Sequence, residues 1–308
     1  MAYLHDDKEQ FLNAINLTFT QTGIMTQAIE KDYYVTMILR KLSMRLPYIV
    51  FKGGTSLSKC HNVINRFSED IDITIDTAIS QGQKKKVKEN IVEIADELGM
   101  SILNLEKTRS RRDYNRYEIG YHSVLPSFSE ALQPAVLIET SYTAVSFPTV
   151  VLPVNNYIGK MMELEASDYI TEFQLDPFEM KVQGLDRTLV DKIFAVCDYY
   201  LQDRVKKHSR HLYDIYKLYP LVRQDESFRR LISNVRQVRA ESNICPAAQP
   251  GVDVSVLLKK LIDENVYKAD YDNLTMQLLE EQVAYNIVIK VLKEIAESKI
   301  FEEEAKIR

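Results

Sequence analysis

Two aspartates two positions apart, Asp70 and Asp72, lie in a segment, Asp70-Ile71-Asp72-Ile73-Thr74-Ile75-Asp76, that alternates strictly between polar and apolar residues. A strand puts successive side chains on opposite faces. Ile71, Ile73 and Ile75 then turn to a core, while Asp70 and Asp72 share the other face, one pleat apart. Two carboxylates on one face repel, and a hard divalent cation such as magnesium is the usual reason to tolerate them. Upstream, the apolar run Tyr48 to Phe51 reads as a buried strand, broken by Gly53-Gly54, with Thr55-Ser56-Leu57-Ser58-Lys59 as the start of a helix. Backbone amides at a glycine turn opening a helix can hold phosphate oxygens. Taken singly, each pattern has a plainer reading. Asp-x-Asp is more often a half-exposed edge strand, and Gly-Gly-Thr-Ser is neither a Walker A loop nor a Gly-x-Gly-x-x-Gly fingerprint.

The elements that must position these residues follow from periodicity. Residues 7–22 read as a helix with Phe11, Ile15 and Phe19 on one face, and about Thr26 to Ser43 as a second with a broad apolar face. After the aspartates comes a helix from Gln83 to Leu98, ended by Gly99, then strands at Ser101–Glu106, Tyr114–His122 and Ala135–Ala144. From about Pro153 the texture turns to long amphipathic helices. One is capped by Asp186 or Thr188 and runs to about Gln202, one spans about 209–218 and stops at Pro220, and the last covers about Leu274 to Ile300. By this pattern, residues 1–155 form one domain and residues 156–308 a second, mainly helical one.

Composition bounds the function. The 308 residues carry 45% hydrophobic and 27% charged side chains, an ordinary globular balance, and no apolar run approaches the roughly 20 residues that span a bilayer. The first residues lack the pattern of a signal peptide, so a cytoplasmic protein with no membrane partner is expected. Cys60, Cys197 and Cys245 are odd in number and far apart, which suggests neither a disulfide framework nor a zinc site. A net charge of −5 argues against indiscriminate nucleic-acid binding but leaves room for local patches. Two stretches qualify. Residues 108–117 mix four arginines with two tyrosines, and residues 204–210 are basic. Arginine forks grip phosphate and tyrosines stack on bases, although a charged hairpin loop has much the same composition.

The ordered combination is more specific than its parts. A strand, Gly-Gly-Thr-Ser-Leu (53–57), a helix and then Arg-Phe-Ser-Glu-Asp-Ile-Asp (66–72) resemble the DNA polymerase beta-like nucleotidyltransferases, and within them the AbiEii/AbiGii toxin family. Glu30-Lys31-Asp32-Tyr33 resembles the stretch common before the glycine motif. Arg-Thr-Leu-Val-Asp-Lys (187–192) looks like the third family motif, and Arg-His-Leu-Tyr-Asp-Ile-Tyr (210–216) like the fourth. Asp191 stands where family members often have glutamate. Without the resemblance, Lys192 would read as a surface lysine, and Asp214 as an ion-pair partner of Arg210 one turn away.

The resemblance implies an α+β fold, a small mixed nucleotidyltransferase sheet flanked by helices and followed by a mainly α-helical lobe. It implies a nucleotidyltransferase moving a nucleoside monophosphate from an NTP to an acceptor hydroxyl. In studied members the acceptor is the 3′ end of tRNA, and the enzyme is a toxin held in check by a separate antitoxin. Gly53, Gly54, Thr55, Ser56 and Lys192 are then expected to bind the nucleotide. Asp70, Asp72 and, from a neighbouring strand, Glu139 are expected to hold magnesium, with manganese as an alternative. Asp70, Asp72, Lys192 and Asp214 are expected to carry catalysis. The other readings are transfer to a small molecule or a protein, and a non-catalytic nucleotide-binding module; the intact aspartate pair argues against the last.

Overall fold

The computed structural model describes residues 2–68, 70–126, 133–143, 145–165 and 167–301. The chain divides into two compact units, Met1–His61 with Ser68–Val182, and Asn62–Phe67 with Gln183–Arg308. Residues 156–182, expected with the helical lobe, therefore belong to the first unit.

The first unit is built on a seven-stranded mixed sheet. Its strands are β1 (Ile49–Lys52), β2 (Ile71–Ile75), β3 (Ser101–Ile102), β4 (Tyr114–Gly120), β5 (Ala135–Ser141), β6 (Thr149–Val154) and β7 (Phe178–Gln183), in the order β3-β4-β5-β2-β1-β7-β6. The helices are α1 (Lys8–Thr22), α2 (Thr26–Arg45), α3 (Gly53–Lys59), α4 (Gln81–Glu97), α5 (Tyr157–Glu165) and α6 (Ser167–Glu172). Asp7 caps α1 by accepting from the backbone of Glu9 and Gln10, and Ser80 caps α4 in a reciprocal box with Gln83. The buried stripe of α1 is Phe11, Ala14, Ile15 and Thr18, not the expected row ending at Phe19, which is exposed. Thr18 can be buried because its hydroxyl donates to the Ala14 carbonyl.

Two strands depart from expectation. Residues 101–106 do not run as one strand, because Asn104 leaves the ladder. Its side chain accepts from Glu118 N and donates to Arg116 O, both at 3.0 Å, in place of main-chain pairing. β7 lies where only helices were expected, and β6 in a stretch given no element. β6 contains Pro153, which a strand at the sheet edge tolerates because no ladder bond is asked of its nitrogen.

The second unit contains α7 (Leu185–Leu201), α8 (Arg210–Leu218), α9 (Glu226–Ala240), α10 (Val254–Asp263) and a C-terminal helix, Tyr285–Ser298. α7 begins after Gly184, and Thr188, rather than capping, returns its hydroxyl to the Gly184 carbonyl. The C-terminal helix is shorter than expected because residues 278–280 are drawn into extended pairing. Phe67 N donates to Leu278 O, Glu280 N donates to Asn65 O, and Arg66 bridges Leu279. Among the described residues no helix is long and apolar enough to cross a membrane.

Within the first unit, Asp32 on α2 gathers two other elements. Its carboxylate takes the Lys59 ammonium at the end of α3 and, at 2.9 Å, the Tyr157 N–H that opens α5. Neighbouring Glu30, fully buried, accepts from Ser123 Oγ at 2.6 Å and Val124 N at 2.8 Å. This stretch ties helices and a loop together. Asp32→Ala would strand the largely buried Lys59 ammonium, and we expect a loss of about 3 kcal/mol, the low end for a buried pair cut on one side. Urea unfolding measures it, and an unchanged midpoint would show that the pair does not hold α2, α3 and α5 together.

Candidate active site

In the first unit, strand register sets the chemistry. β1 and β2 pair antiparallel with Lys52 opposite Asp72. β2 and β5 pair parallel with Asp72 opposite Glu139, and β4 and β5 pair antiparallel with Arg116 opposite Glu139. Directly paired residues point to the same face, so one row, Lys52–Asp72–Glu139–Arg116, crosses four strands. The two carboxylates stand side by side with a cation on each flank. Asp70 lies one residue before β2 and is half-buried.

The glycine turn closes against this row. Gly53 has φ +79°, in the left-handed region, and a Cβ built on it would lie 1.9 Å from Asp72 Oδ2. The Asp72 carboxylate thus rests directly over the Gly53 backbone, and a side chain is excluded there twice, by conformation and by space. Thr55 and Ser56 are buried. Ser56 Oγ donates to the Gly53 carbonyl at 2.9 Å, and Thr55 Oγ1 lies 2.9 Å from Ser68 Oγ. Their hydroxyls fasten the turn, so what the turn offers a phosphate is backbone N–H. Ser68 went unsingled in the sequence, although it stands in the Arg-Phe-Ser-Glu-Asp motif; Glu69 of that motif lies outside the described residues.

On β4 the Tyr114 phenol lies near Glu139, and burial first, then the Glu139 charge, raise it to about 12, against the opposing pull of Arg116. All the donors on this face are hard oxygens, which suits a divalent ion. Among the described residues, no three or more His, Cys, Asp or Glu side chains gather tightly enough to hold a metal alone. The paired Asp72 and Glu139 fit an ion that keeps its remaining positions for water and substrate phosphates.

The second unit holds a separate charged cluster. Asp214 on α8 is fully buried and receives Arg66 in a two-pronged grip, Nε to Oδ1 at 2.6 Å and Nη2 to Oδ2 at 2.7 Å. Lys192 on α7, 6% exposed, donates Nζ to Asp214 Oδ2 at 2.6 Å. The motif lysine and motif aspartate are thus a direct pair, and Arg66, unanticipated, completes the triad. The Arg210 pairing foreseen for Asp214 on helical spacing alone is not what forms. Burial by itself would raise the Asp214 carboxyl, but Arg66 and Lys192 hold it well below the usual carboxylate range. Lys192 is lowered by burial and by Arg66 and Arg210, more than Asp214 raises it. The Asp214 carboxylate accepts from both cations. Asp191 belongs to a different network, taking Arg187 at 3.0 Å and Arg239 at 3.2 Å, and holds helices rather than Lys192.

Residues 39–293 match the family described as Nucleotidyl transferase AbiEii toxin, Type IV TA system. The chain belongs to that family. It is a nucleotidyltransferase toxin of a type IV toxin-antitoxin system, with an NTP as substrate, a divalent metal in general use and an antitoxin as partner. Its fold is similar to that of MenT4, a nucleotidyltransferase toxin from Mycobacterium tuberculosis H37Rv, with a TM-score of 0.59 and 17% identity over 96% of this chain and 90% of that one. No curated protein matches the chain.

Two outcomes follow from the geometry. Gly53→Ala is expected to push Asp72 aside and lower transfer at least tenfold, with a stability cost of about 1–3 kcal/mol from the strained backbone. Full activity in that variant would mean that the close approach is not needed. For Asp214, whose folded value is depressed, the stabilisation is present above the ordinary carboxyl value of 3.8 and is lost as pH falls below it. Asp214→Asn should therefore be less stable than wild type at pH 7, with the difference shrinking toward pH 2. Thermal melts across that range test the sign, and a constant difference would remove Asp214 as an ionised anchor.

Proposed function

We propose that the chain transfers a nucleoside monophosphate from an NTP to the 3′ hydroxyl of tRNA, with magnesium at Asp72 and Glu139 and with Asp70 as a further carboxylate on that face. The observation that carries this reading is the in-register Asp72–Glu139 pair, packed against the Gly53 turn. Gly53, Gly54, Thr55 and Ser56 present backbone N–H groups to the triphosphate. Magnesium, when bound, neutralises phosphate charge and makes the acceptor hydroxyl easier to deprotonate. The acceptor hydroxyl gives up its proton and its oxygen bonds to the α-phosphorus. The bond from that phosphorus to the bridging oxygen breaks, and pyrophosphate leaves.

Lys192 is the residue assigned to the phosphate oxygens, where positive charge gains most as the leaving group develops. Asp214 fixes the direction of its ammonium, and Arg66 fixes Asp214. An ammonium has three donors, so a bond to Asp214 leaves geometry for a phosphate as well. Acting on nucleotides and tRNA, the protein would work in the cytoplasm.

Incubating the protein with total RNA, magnesium and each labelled triphosphate tests the reading directly. Label in tRNA supports it, whereas label only in a small molecule or a protein replaces the acceptor. Asp72→Ala should abolish transfer while the fold persists. Lys192→Ala should cost at least a hundredfold, against less than threefold for Lys84→Ala or Lys86→Ala, whose side chains lie on α4. Because Lys192 is lowered, the rate should decline on the alkaline side at a pH below the ordinary lysine value of 10.5. Equal losses at Lys192 and on α4 would end that assignment.

A further inference from the structure

We infer that Tyr114 positions the acceptor, its ring serving as a stacking platform for an unpaired base of an RNA end beside the carboxylate row. The inference rests on the RNA reading above and adds to it a residue that no family motif assigns.

Tyr114 and Arg116 alternate along β4, so both stand on the face that carries Asp72 and Glu139. Tyr114 is 51% exposed, an unusual place for a large aromatic ring. It pairs with Ser141, two positions from Glu139 on β5, so the exposed ring stands next to the carboxylates and offers its surface to a base. Every base has a π-face, so such a platform accepts an RNA end without reading its sequence.

The surrounding cations fit the same ligand. Arg116, half-exposed, lies 3.9 Å from Glu118, its nearest ion-pair partner, a separation at which it can turn to a phosphate. Further along, Arg111 and Lys85 line a surface hollow of about 330 Å³ with Gln81, Gly82 and Ser110. The other loop arginines are committed at home: Arg109 donates to the Thr108 carbonyl at 2.9 Å, and Arg112 to the Lys107 carbonyl at 3.2 Å. The basic stretch 108–117 therefore sorts into residues that hold the loop and residues that face outward.

Filter binding of unmodified tRNA, with NTP affinity measured in parallel, tests the role. Tyr114→Leu should weaken tRNA binding on the order of 10- to 100-fold, the worth of one stacked base, and leave NTP affinity within about twofold. Tyr114→Phe keeps the ring and should bind tRNA within about threefold of wild type. Arg116→Ala should lower the slope of affinity against salt by about one phosphate contact. If Tyr114→Leu binds tRNA like wild type, or if Tyr114→Phe loses as much as Tyr114→Leu, the platform is overturned. In the second case the hydroxyl acts through Glu139. A wild-type protein that does not bind tRNA at all instead removes the RNA reading on which the inference stands.

Discussion

The carboxylate of Asp72 occupies space that any side chain on residue 53 would need. With a built Cβ only 1.9 Å from Oδ2, the strand and the turn can close on each other only across a glycine. The remaining placements follow from that closure. β1 must end where the turn begins, which sets Lys52 opposite Asp72 in the antiparallel pair. Asp72 is then in register with Glu139 on β5, and Glu139 with Arg116 on β4. A slip of one residue in any of these pairings would turn a carboxylate into the core and an isoleucine outward, so the apolar residues of β2 defend the polar row. Ile71, Ile73 and Ile75 are all buried, and their packing is what keeps two like charges adjacent.

The second unit solves a different electrostatic problem. A lysine at 6% exposure is costly to keep charged, and Asp214 offsets that cost. Asp214 is also gripped by Arg66, so one buried carboxylate meets two cations. Burying charge in this way is weak as a stabilising device. Within the second unit the pairing fixes the direction of the Lys192 ammonium.

Much of this was legible in the sequence, and the failures have particular causes. Strict alternation in 70–76 located β2, and the Gly-Gly break located the start of α3. Glu139 was placed on the strand that does lie beside β2, since Ala135–Ser141 alternates as cleanly. β7 was overlooked although Phe178, Met180 and Val182 alternate, because the chain from about Pro153 was read as helical. β6, just before that change, was given no element. No spacing rule reaches from Arg66 to Asp214, 148 positions apart. Local rules offered Arg210 instead, one turn away, and tertiary geometry overrode them. Phe19 failed for a simpler reason, since a helical stripe drifts and the buried face had moved to Thr18.

One compact run of sequence shows why its residues stand so close together. In Arg66-Phe67-Ser68-Glu69-Asp70-Ile71-Asp72, Arg66 reaches Asp214 in the second unit, and Ser68 meets the Thr55 hydroxyl in the first. Asp72 closes over Gly53. The chain leaves the first unit at Asn62, docks Arg66 alongside Leu279, and is back in the sheet by Ile71. Within the run, Arg66, Ser68 and Asp72 each hold a contact inside their own unit, so these motif positions fasten local structure in both units.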